Sequence, residues 1–201
     1  SRLAAAGNSD YVNSFKAIAQ RHLNALEGLD IDPIQAAELQ TKLREKLDEL
    51  KNILQGVFLI NDLSRKTSDK IVSYGEQLSS LIFNHILKGS VLLDAMELIK
   101  TEKIADKHLY DKELTNTLIK EAFQNPSDIS IVPGFISSSR DTGEITNLGR
   151  GGSDYTAAIF AAALDATELE IWTNTDGFMT ADPKIISNAY TIEKLTFTEA
   201  T

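Results

Sequence analysis

A glycine-rich turn that runs directly into a helix-like stretch is the feature that most constrains the fold and the binding properties of this chain. The turn spans residues 148–155 (LGRGGSDY), and residues 156–164 after it are small or apolar without a helix breaker. Glycines permit close backbone approach, and Ser153 and Asp154 are residue types that cap helix N-termini. The first-turn N–H groups and the helix dipole favour an anion there, and Arg150 adds a planar cation suited to carboxylate or phosphate. The sequence therefore predicts an anion-binding turn.

A second polar motif follows further along the chain. Residues 169–173 (LEIWT) have the pattern of a short buried strand, in which Trp172 is predicted to belong to the core. Residues 174–177 (NTDG) form a predicted turn and lead into 178–184 (FMTADPK). A strand that ends in polar turn residues at the mouth of an α/β sheet is a common place for a nucleotide. The Asp-Gly and Asp-Pro pairs are equally typical of an ordinary turn.

The remaining residues predict an α/β organisation. Helices are predicted over residues 10–27, 33–60, 67–87 (capped by Thr67-Ser68-Asp69) and 111–123, and strands at 90–93, near 99 and at 128–132. Six apolar residues between Leu39 and Val57 recur every three or four positions, which indicates one buried helix face. Strands alternating with helices are typical of a mostly parallel sheet covered on both faces. The mixed-charge segment 100–107 is predicted to lie at the surface.

Composition narrows the function classes. A net charge of −9 argues against a nucleic-acid or anionic membrane surface, since both need a basic patch. Without cysteine, the chain has neither disulfides nor thiolate metal ligands. His22, His85 and His108 lack the spacing of a metal site and are predicted to be surface or hydrogen-bonded residues. We found no apolar run of about 18 residues, so a cytoplasmic protein without membrane partners is expected.

The two motifs together, LGRGGSDYTAAIFAAAL and EIWTNTDGFMTADPKI, closely resemble the core of aspartate kinases, which belong to the amino-acid kinase family. Further matches are SYGEQLS at 73–79, IVPGFI at 131–136 and IEKLTFTEA at 192–200. The resemblance runs through most of the chain from Asp69 onward. It implies a three-layer αβα sandwich with a mostly parallel sheet. A single catalytic domain over 1–201 is expected, with a helical insertion at 10–60 and a binding core at 69–201.

The activity that the resemblance implies is ATP-dependent phosphorylation of the side-chain carboxylate of L-aspartate. The product is 4-phospho-L-aspartate, and the reaction is the first step of lysine, threonine and methionine biosynthesis. ATP and Mg²⁺ are the expected cofactors, L-aspartate and ATP the expected ligands, and the full-length protein is expected to be a homo-oligomer. No metal-ligating residue of the chain itself is expected.

Residue roles also follow from the resemblance. Arg150 and Asp154 match catalytic positions, with Arg150 expected to clamp a substrate carboxylate and Asp154 to face the ammonium group or a cation. The expected substrate-binding residues are Glu76, Arg150, Gly151, Gly152, Ser153 and Asp154. The expected nucleotide-binding residues are Thr173, Asn174, Asp176, Gly177, Met179, Asp182 and Lys184.

Three nucleotide-side positions depart from the family pattern. Asn174 stands where the family usually has Asp, Met179 replaces the commoner Tyr, and Lys184 replaces the commoner Arg. A thioether can pack against adenine but offers no hydroxyl donor. Lysine can hold a phosphate as a point charge but not at two points. ATP is therefore expected to bind with altered contacts.

Two alternatives stay open at this point. One is another amino-acid kinase that acts on glutamate, acetylglutamate, carbamate or a nucleoside monophosphate. The other is a non-catalytic regulatory homologue that keeps the fold. The chain shows no Lys-Phe-Gly-Gly strand and loop of the kind that begins aspartate kinases, so a fragment truncated at both ends is expected, with little or no activity of its own.

Overall fold

The computed structural model describes residues 1–105 and 107–200. They divide into two units, Ser1–Thr167 and Glu168–Thr201. The helices are α1 (Arg2–Ala5), α2 (Tyr11–Asn24), α3 (Pro33–Ile60), α4 (Arg65–Ile86), α5 (Ala95–Leu98), α6 (Lys112–Ala122), α7 (Gly152–Ala163) and α8 (Phe197–Ala200). The strands are β1 (Ser90–Leu92), β2 (Lys100–Ile104), β3 (Lys107–Tyr110), β4 (Ile129–Ile131), β5 (Ile136–Ser139) and β6 (Ile145–Asn147). The single-domain assignment stays a prediction.

The predicted apolar stripe of α3 is buried in a helical layer. Its six members, Leu39, Leu43, Leu47, Leu50, Leu54 and Val57, are all at most 5% exposed. All but Val57 form one core cluster with Tyr74, Leu78 and Ile82 of α4, and side chains of α2 pack against it. Burying one leucine contributes about 1.5–3 kcal/mol, so this cluster is what holds α4 in place.

The described strands of the first unit form two small sheets. Strands β1 and β4 pair in parallel, and a second sheet has the order β3-β2-β5-β6. In that second sheet β2 and β5 are parallel, whereas the β2–β3 and β5–β6 pairs are antiparallel. The predicted α/β class is therefore confirmed, and the described sheets are mixed.

The segment predicted to lie at the surface, 100–107, contains β2 and the first residue of β3. Thr101 in β2 is fully buried, because its hydroxyl lies 2.9 Å from the Thr146 hydroxyl of β6. Thr146 also lies 2.8 Å from the Ser137 hydroxyl of β5. Lys103, Ile104, Ala105 and Lys107 are exposed, so the surface prediction holds for most of the described residues of this segment. It fails at Thr101, because hydroxyl groups that satisfy one another across strands leave no mark in a charge pattern along one segment.

Three local predictions are also corrected. Helix α4 begins at Arg65 and is capped by Ser64, whose hydroxyl accepts from the Thr67 N–H at 3.1 Å, so the cap lies earlier than 67–69. Residues 169–173 form no strand. Trp172 is 89% exposed, with its indole N–H donating to Glu170, and is not a core residue. A strand needs a neighbouring strand to pair its backbone groups, and none lies beside 169–173 among the described residues.

Arg140, which follows β5, draws three carboxylates together. Its guanidinium lies 2.8 Å from Asp111, 3.0 Å from Glu102 and 3.5 Å from Asp141. Asp111 also caps α6, because its other oxygen accepts from the Leu114 N–H at 3.1 Å. The hydrogen bond from Arg140 holds the pKa of the Asp111 carboxyl below its usual value. This group ties the start of α6 to the end of β5.

We expect the stability of this region to depend on pH through Asp111. A carboxyl whose folded pKa is depressed stabilises the fold above its unfolded pKa of about 3.9, and this contribution is lost as pH falls through the folded value. Asp111→Asn keeps a capping side chain but removes the charge. It should therefore destabilise the protein at pH 7, and the difference from the wild type should shrink at pH 3 and below, as measured by urea unfolding.

Asp141→Asn is the matched control, since Asp141 lies beside the same guanidinium but at a longer distance of 3.5 Å, and its side chain is 63% exposed. Exposed ion pairs contribute little, so this variant should unfold like the wild type at every pH. A constant destabilisation by Asp111→Asn from pH 7 to pH 2 would contradict the role given to its charge.

Candidate functional site

The glycine-rich turn, here called the arginine loop (residues 148–152), leads from β6 into α7. Gly149 and Gly151 have φ values of +78° and +71° on either side of Arg150. Only glycine adopts this left-handed region without a steric penalty. The loop is closed by a hydrogen bond of 3.0 Å from the Gly152 N–H to the Gly149 carbonyl. Both glycines therefore have a defined conformational reason to be glycine.

The cap of α7 differs from the prediction. Gly151 is the N-cap residue, and no side chain caps the helix. Ser153 and Asp154 lie in the first turn, because the cap position has a positive φ that glycine alone takes easily. Among the described residues, the backbone N–H groups of Ser153 and Asp154 have no acceptor. These two groups are thus available to an anion at the helix N-terminus.

Three of the predicted substrate residues have side chains that face solvent. These side chains belong to Arg150, Ser153 and Asp154; Gly151 is exposed too, whereas Gly152 is buried. Within the part of the chain that the structure describes, Arg150 has neither an ion pair nor a hydrogen bond. A guanidinium next to free N–H groups is suited to a carboxylate or a phosphate oxygen. The charge of Asp154 in the first turn also favours the helix electrostatically.

A tight turn before β5 packs directly against the start of α7. Phe135 has a φ of +68°, which is unusual for a residue with a side chain, and the Ile136 N–H donates to the Gly134 carbonyl at 2.8 Å. The Phe135 N–H donates to the Thr156 hydroxyl, which donates to the Gly152 carbonyl at 2.8 Å. This chain of hydrogen bonds locks the turn to the helix.

The turn and the start of α7 approach each other so closely that a side chain on Gly134 or Gly152 would be crowded. A Cβ atom on Gly134 would lie 3.0 Å from the Ser153 Cα atom. A Cβ atom on Gly152 would lie 3.0 Å from a ring carbon of Phe135 and 3.2 Å from Leu148 Cβ. The turn is therefore tightly packed against the arginine loop and the first turn of α7.

Helix α4 carries the predicted substrate residue Glu76, which is partly buried. Among the described residues its carboxylate has no hydrogen-bond partner. Asp69 lies seven residues earlier and therefore on the same helix face. Asp69 accepts a hydrogen bond of 2.6 Å from the amide of Asn147, next to the arginine loop. Burial raises the pKa of the Asp69 carboxyl, and Arg65 and Asn147 oppose that shift.

A cavity of about 540 Å³ opens beside the N-terminal half of α7. Gly134, Ser153 and Thr156 line it on the side of the arginine loop, while Phe123 and Phe160 provide apolar walls. Their rings meet edge to face, with centroids 5.9 Å apart. The cavity therefore combines polar groups at the helix start with an apolar interior, as ligand pockets commonly do.

The predicted nucleotide residues all belong to the second unit, where they are exposed except for Met179. Met179 pairs with Thr191 in an isolated antiparallel bridge, flanked by the Thr180 N–H donating to the Tyr190 carbonyl at 3.0 Å. Asp182 accepts from the Lys184 N–H at 2.9 Å. This last contact is the ordinary Asp-Pro turn that the sequence left open, and the nucleotide roles of Thr173, Asn174, Asp176, Gly177, Met179, Asp182 and Lys184 stay predictions.

The histidines and acidic residues form no metal centre over the described ranges, 1–105 and 107–200, where no three candidate ligands converge. His22 and His85 each contact a backbone carbonyl four residues earlier. His108 differs from the prediction, because its buried Nδ1 atom has no hydrogen-bond partner among these residues. No helix in the described part of the chain is both long and apolar enough to cross a membrane.

A sequence model of the amino acid kinase family matches residues 12–201. The chain belongs to the amino-acid kinase family. Among its relatives in that family, the chloroplast aspartokinase 1 of Arabidopsis thaliana is 32% identical over 96% of this chain. A bifunctional aspartokinase/homoserine dehydrogenase of Buchnera aphidicola is 34% identical over 81% of the chain. The chain spans only 34% and 20% of the lengths of these two relatives.

Solved structures of amino-acid kinases agree with the fold. The crystal structure of Escherichia coli aspartokinase III in complex with aspartate and ADP matches 94% of this chain with a TM-score of 0.84 and 29% identity. The match covers 43% of that protein. The predicted resemblance to aspartate kinases is therefore confirmed, together with an α/β fold of the amino-acid kinase type.

Sequence reasoning missed two residues that shape this amino-acid kinase site. Thr156 links Phe135 to Gly152, and Asn147 links α4 to the arginine loop. Both are small polar residues beside a recognised motif, and their side-chain partners lie 21 and 78 residues away in the chain. The sequence gives no signal for Asn147, since a polar residue one position before the motif has many ordinary explanations until the fold shows its partner.

Proposed function

We propose that this chain is the catalytic part of an aspartate kinase, which transfers the γ-phosphoryl group of ATP to the side-chain carboxylate of L-aspartate. The observation that carries the proposal is the arginine loop, where Arg150 and two N–H groups at the start of α7 have no partner among the described residues. The similar E. coli enzyme was crystallised with aspartate and ADP, which supports this choice of acid and nucleotide.

The proposed chemistry needs positioning more than proton transfer. A carboxyl group with a pKa near 3.9 is already ionised at pH 7. Its oxygen forms a bond to the γ-phosphorus while the bond to the bridging oxygen breaks, and ADP leaves with the electron pair. The main obstacle is repulsion between two anions, about 4 kcal/mol for unit charges 4 Å apart at an effective dielectric constant of 20. Cations and N–H donors offset that repulsion.

Each described group has a proposed part in this step. Arg150 binds a carboxylate of aspartate at two points, and the ammonium group faces the carboxylates of Glu76 and Asp154. Gly151 and Gly152 bring the backbone close, and the Ser153 N–H is available to an oxygen anion. Mg²⁺ usually binds one or two carboxylates together with substrate phosphates. It would therefore bind together with the phosphates of ATP.

The wider physiological expectations belong to the same proposal. They are ATP binding by residues 173–184, a homo-oligomer of the complete protein, a cytoplasmic location, and a role in lysine, threonine and methionine synthesis. The resemblance to aspartate kinases is what supports them.

The complete protein should form an acyl phosphate, which hydroxylamine traps as a hydroxamate. We expect product with ATP and L-aspartate, and at least about 100-fold less with L-glutamate or N-acetylglutamate, because a longer or acylated acid misplaces the clamped groups. Mass spectrometry should locate the hydroxamate on the side-chain carboxyl. Product with only one of the other acids would move the protein to another amino-acid kinase activity, and no product with any would favour a non-catalytic homologue.

A further inference from the structure

The side-chain amide of Asn147, the last residue of β6, joins two parts of the site. Its Nδ2 atom donates to Asp69 Oδ1 of α4 at 2.6 Å. Its Oδ1 atom accepts from the Gly149 N–H of the arginine loop at 3.1 Å. A carboxylate needs a donor and an N–H needs an acceptor, so only this orientation of the amide satisfies both partners. Both ends of one side chain are therefore in use.

These two contacts act on the residues that flank the proposed substrate. Gly149 immediately precedes Arg150 and has a φ of +78°. Asp69 lies seven residues before Glu76, which places them on one face of α4, roughly 10 Å apart along the helix axis. The Asn147 amide thus connects the helix that carries Glu76 to the backbone that carries Arg150.

A neighbouring contact joins α4 to the residue just before β6 without reaching the arginine loop. Lys66 of α4 pairs with Glu144, and both residues lie three positions before Asp69 and Asn147. The Lys66 and Glu144 side chains are 63% and 39% exposed, whereas that of Asp69 is only 15% exposed. Exposed ion pairs contribute little. Substitution of Glu144 is therefore a matched control: it removes a link between α4 and the β5–β6 connection but leaves the arginine loop bound to Asn147.

We propose that Asn147 is a positioning residue that fixes the arginine loop against α4, so that Arg150 and Glu76 present their charges at the spacing of one amino-acid substrate. This inference rests on the function proposed above. Small misplacements of binding groups cost about 10- to 100-fold in reaction rate or affinity. Loss of the amide contacts should thus weaken aspartate binding, while the KM for ATP stays unchanged.

An exchange of the two partners tests this role sharply. Asn147→Asp sets two carboxylates against each other and should raise the KM for aspartate about 10- to 100-fold with little change in the KM for ATP. The double variant Asp69→Asn with Asn147→Asp restores a donor to an acceptor, and its carboxylate still accepts from the Gly149 N–H. We expect it to recover to within about threefold of the wild type, and Glu144→Gln to match the wild type.

A second measurement does not need turnover. Hydrogen exchange at the Gly149 amide should be about tenfold faster or more in Asn147→Asp and slow again in the double variant. Equal KM increases for ATP and aspartate, failure of the double variant to recover, or unchanged exchange at Gly149 would each overturn the role of Asn147. Absence of turnover in the wild type would instead overturn the proposed function, and the exchange data would still decide on the positioning role.

Discussion

Replacement of Arg150 by alanine should lower kcat/KM for aspartate by about 100- to 1,000-fold, mostly through a higher KM. The guanidinium is exposed and has no partner among the described residues, so it is free to bind substrate. A hydrogen bond to a charged group contributes about 1.5–3 kcal/mol, and the planar fork can make two to one carboxylate. Steady-state kinetics of the complete protein, with aspartate and ATP varied separately, measures this loss.

Two further variants distinguish two-point binding by the Arg150 guanidinium from the effect of its positive charge alone. Arg150→Lys keeps the positive charge but not the fork, so it should lie between the wild type and Arg150→Ala. Arg44→Ala removes an exposed arginine of α3 and should leave the kinetics unchanged. A KM for aspartate that does not respond to Arg150→Ala would show that this residue does not bind the substrate.

Gly152→Ala should destabilise the first unit by about 1–3 kcal/mol, the usual cost of forcing a methyl group into packed structure. The new Cβ atom would lie 3.0 Å from the Phe135 ring and 3.2 Å from Phe135 Cα and from Leu148 Cβ. Phe135 cannot easily yield, since its turn is held by the hydrogen bond to Thr156 and has a positive φ. Urea unfolding followed by circular dichroism measures the change.

Gly56→Ala is the control for this substitution. Gly56 lies within α3, and a Cβ atom there would meet no atom within 4 Å. Alanine in a helix interior is favoured over glycine by about 0.5–1 kcal/mol, so this variant should be as stable as the wild type or more so. If Gly152→Ala were equally harmless, the backbone packing between the turn and α7 would not be what fixes the arginine loop.

Much of the fold follows from patterns within single segments. The apolar stripe of α3 is a local signal, and α3 and α6 lie where the sequence predicts them. Their caps are local too: Asp32 accepts from the Ile34 N–H at 2.9 Å, and Asp111 accepts from the Leu114 N–H. The arginine loop is equally local, because glycines on either side of Arg150 are needed for its backbone. Residue order alone placed the cap at Ser153 and Asp154, since it does not reveal which residue adopts the positive φ.

The remaining features depend on partners far away in the chain. The Thr101 hydroxyl can be buried because it is hydrogen-bonded to the hydroxyl of Thr146, which lies 45 residues further along the chain. Asn147 is one unremarkable polar residue until the fold brings Asp69 next to it. Residues 169–173 have the pattern of a buried strand, yet no strand of the described chain pairs with them, and Trp172 is exposed. Hydrogen bonds between polar side chains that are far apart in the chain therefore could not be predicted from the sequence.

The most direct test of the central claim is ³¹P NMR of the complete protein mixed with ATP, Mg²⁺ and L-aspartate. The proposed function predicts an acyl phosphate signal that grows in equal amount with ADP and is absent without aspartate. Release of ADP and inorganic phosphate at a rate independent of aspartate, or no ATP consumption at all, would contradict it.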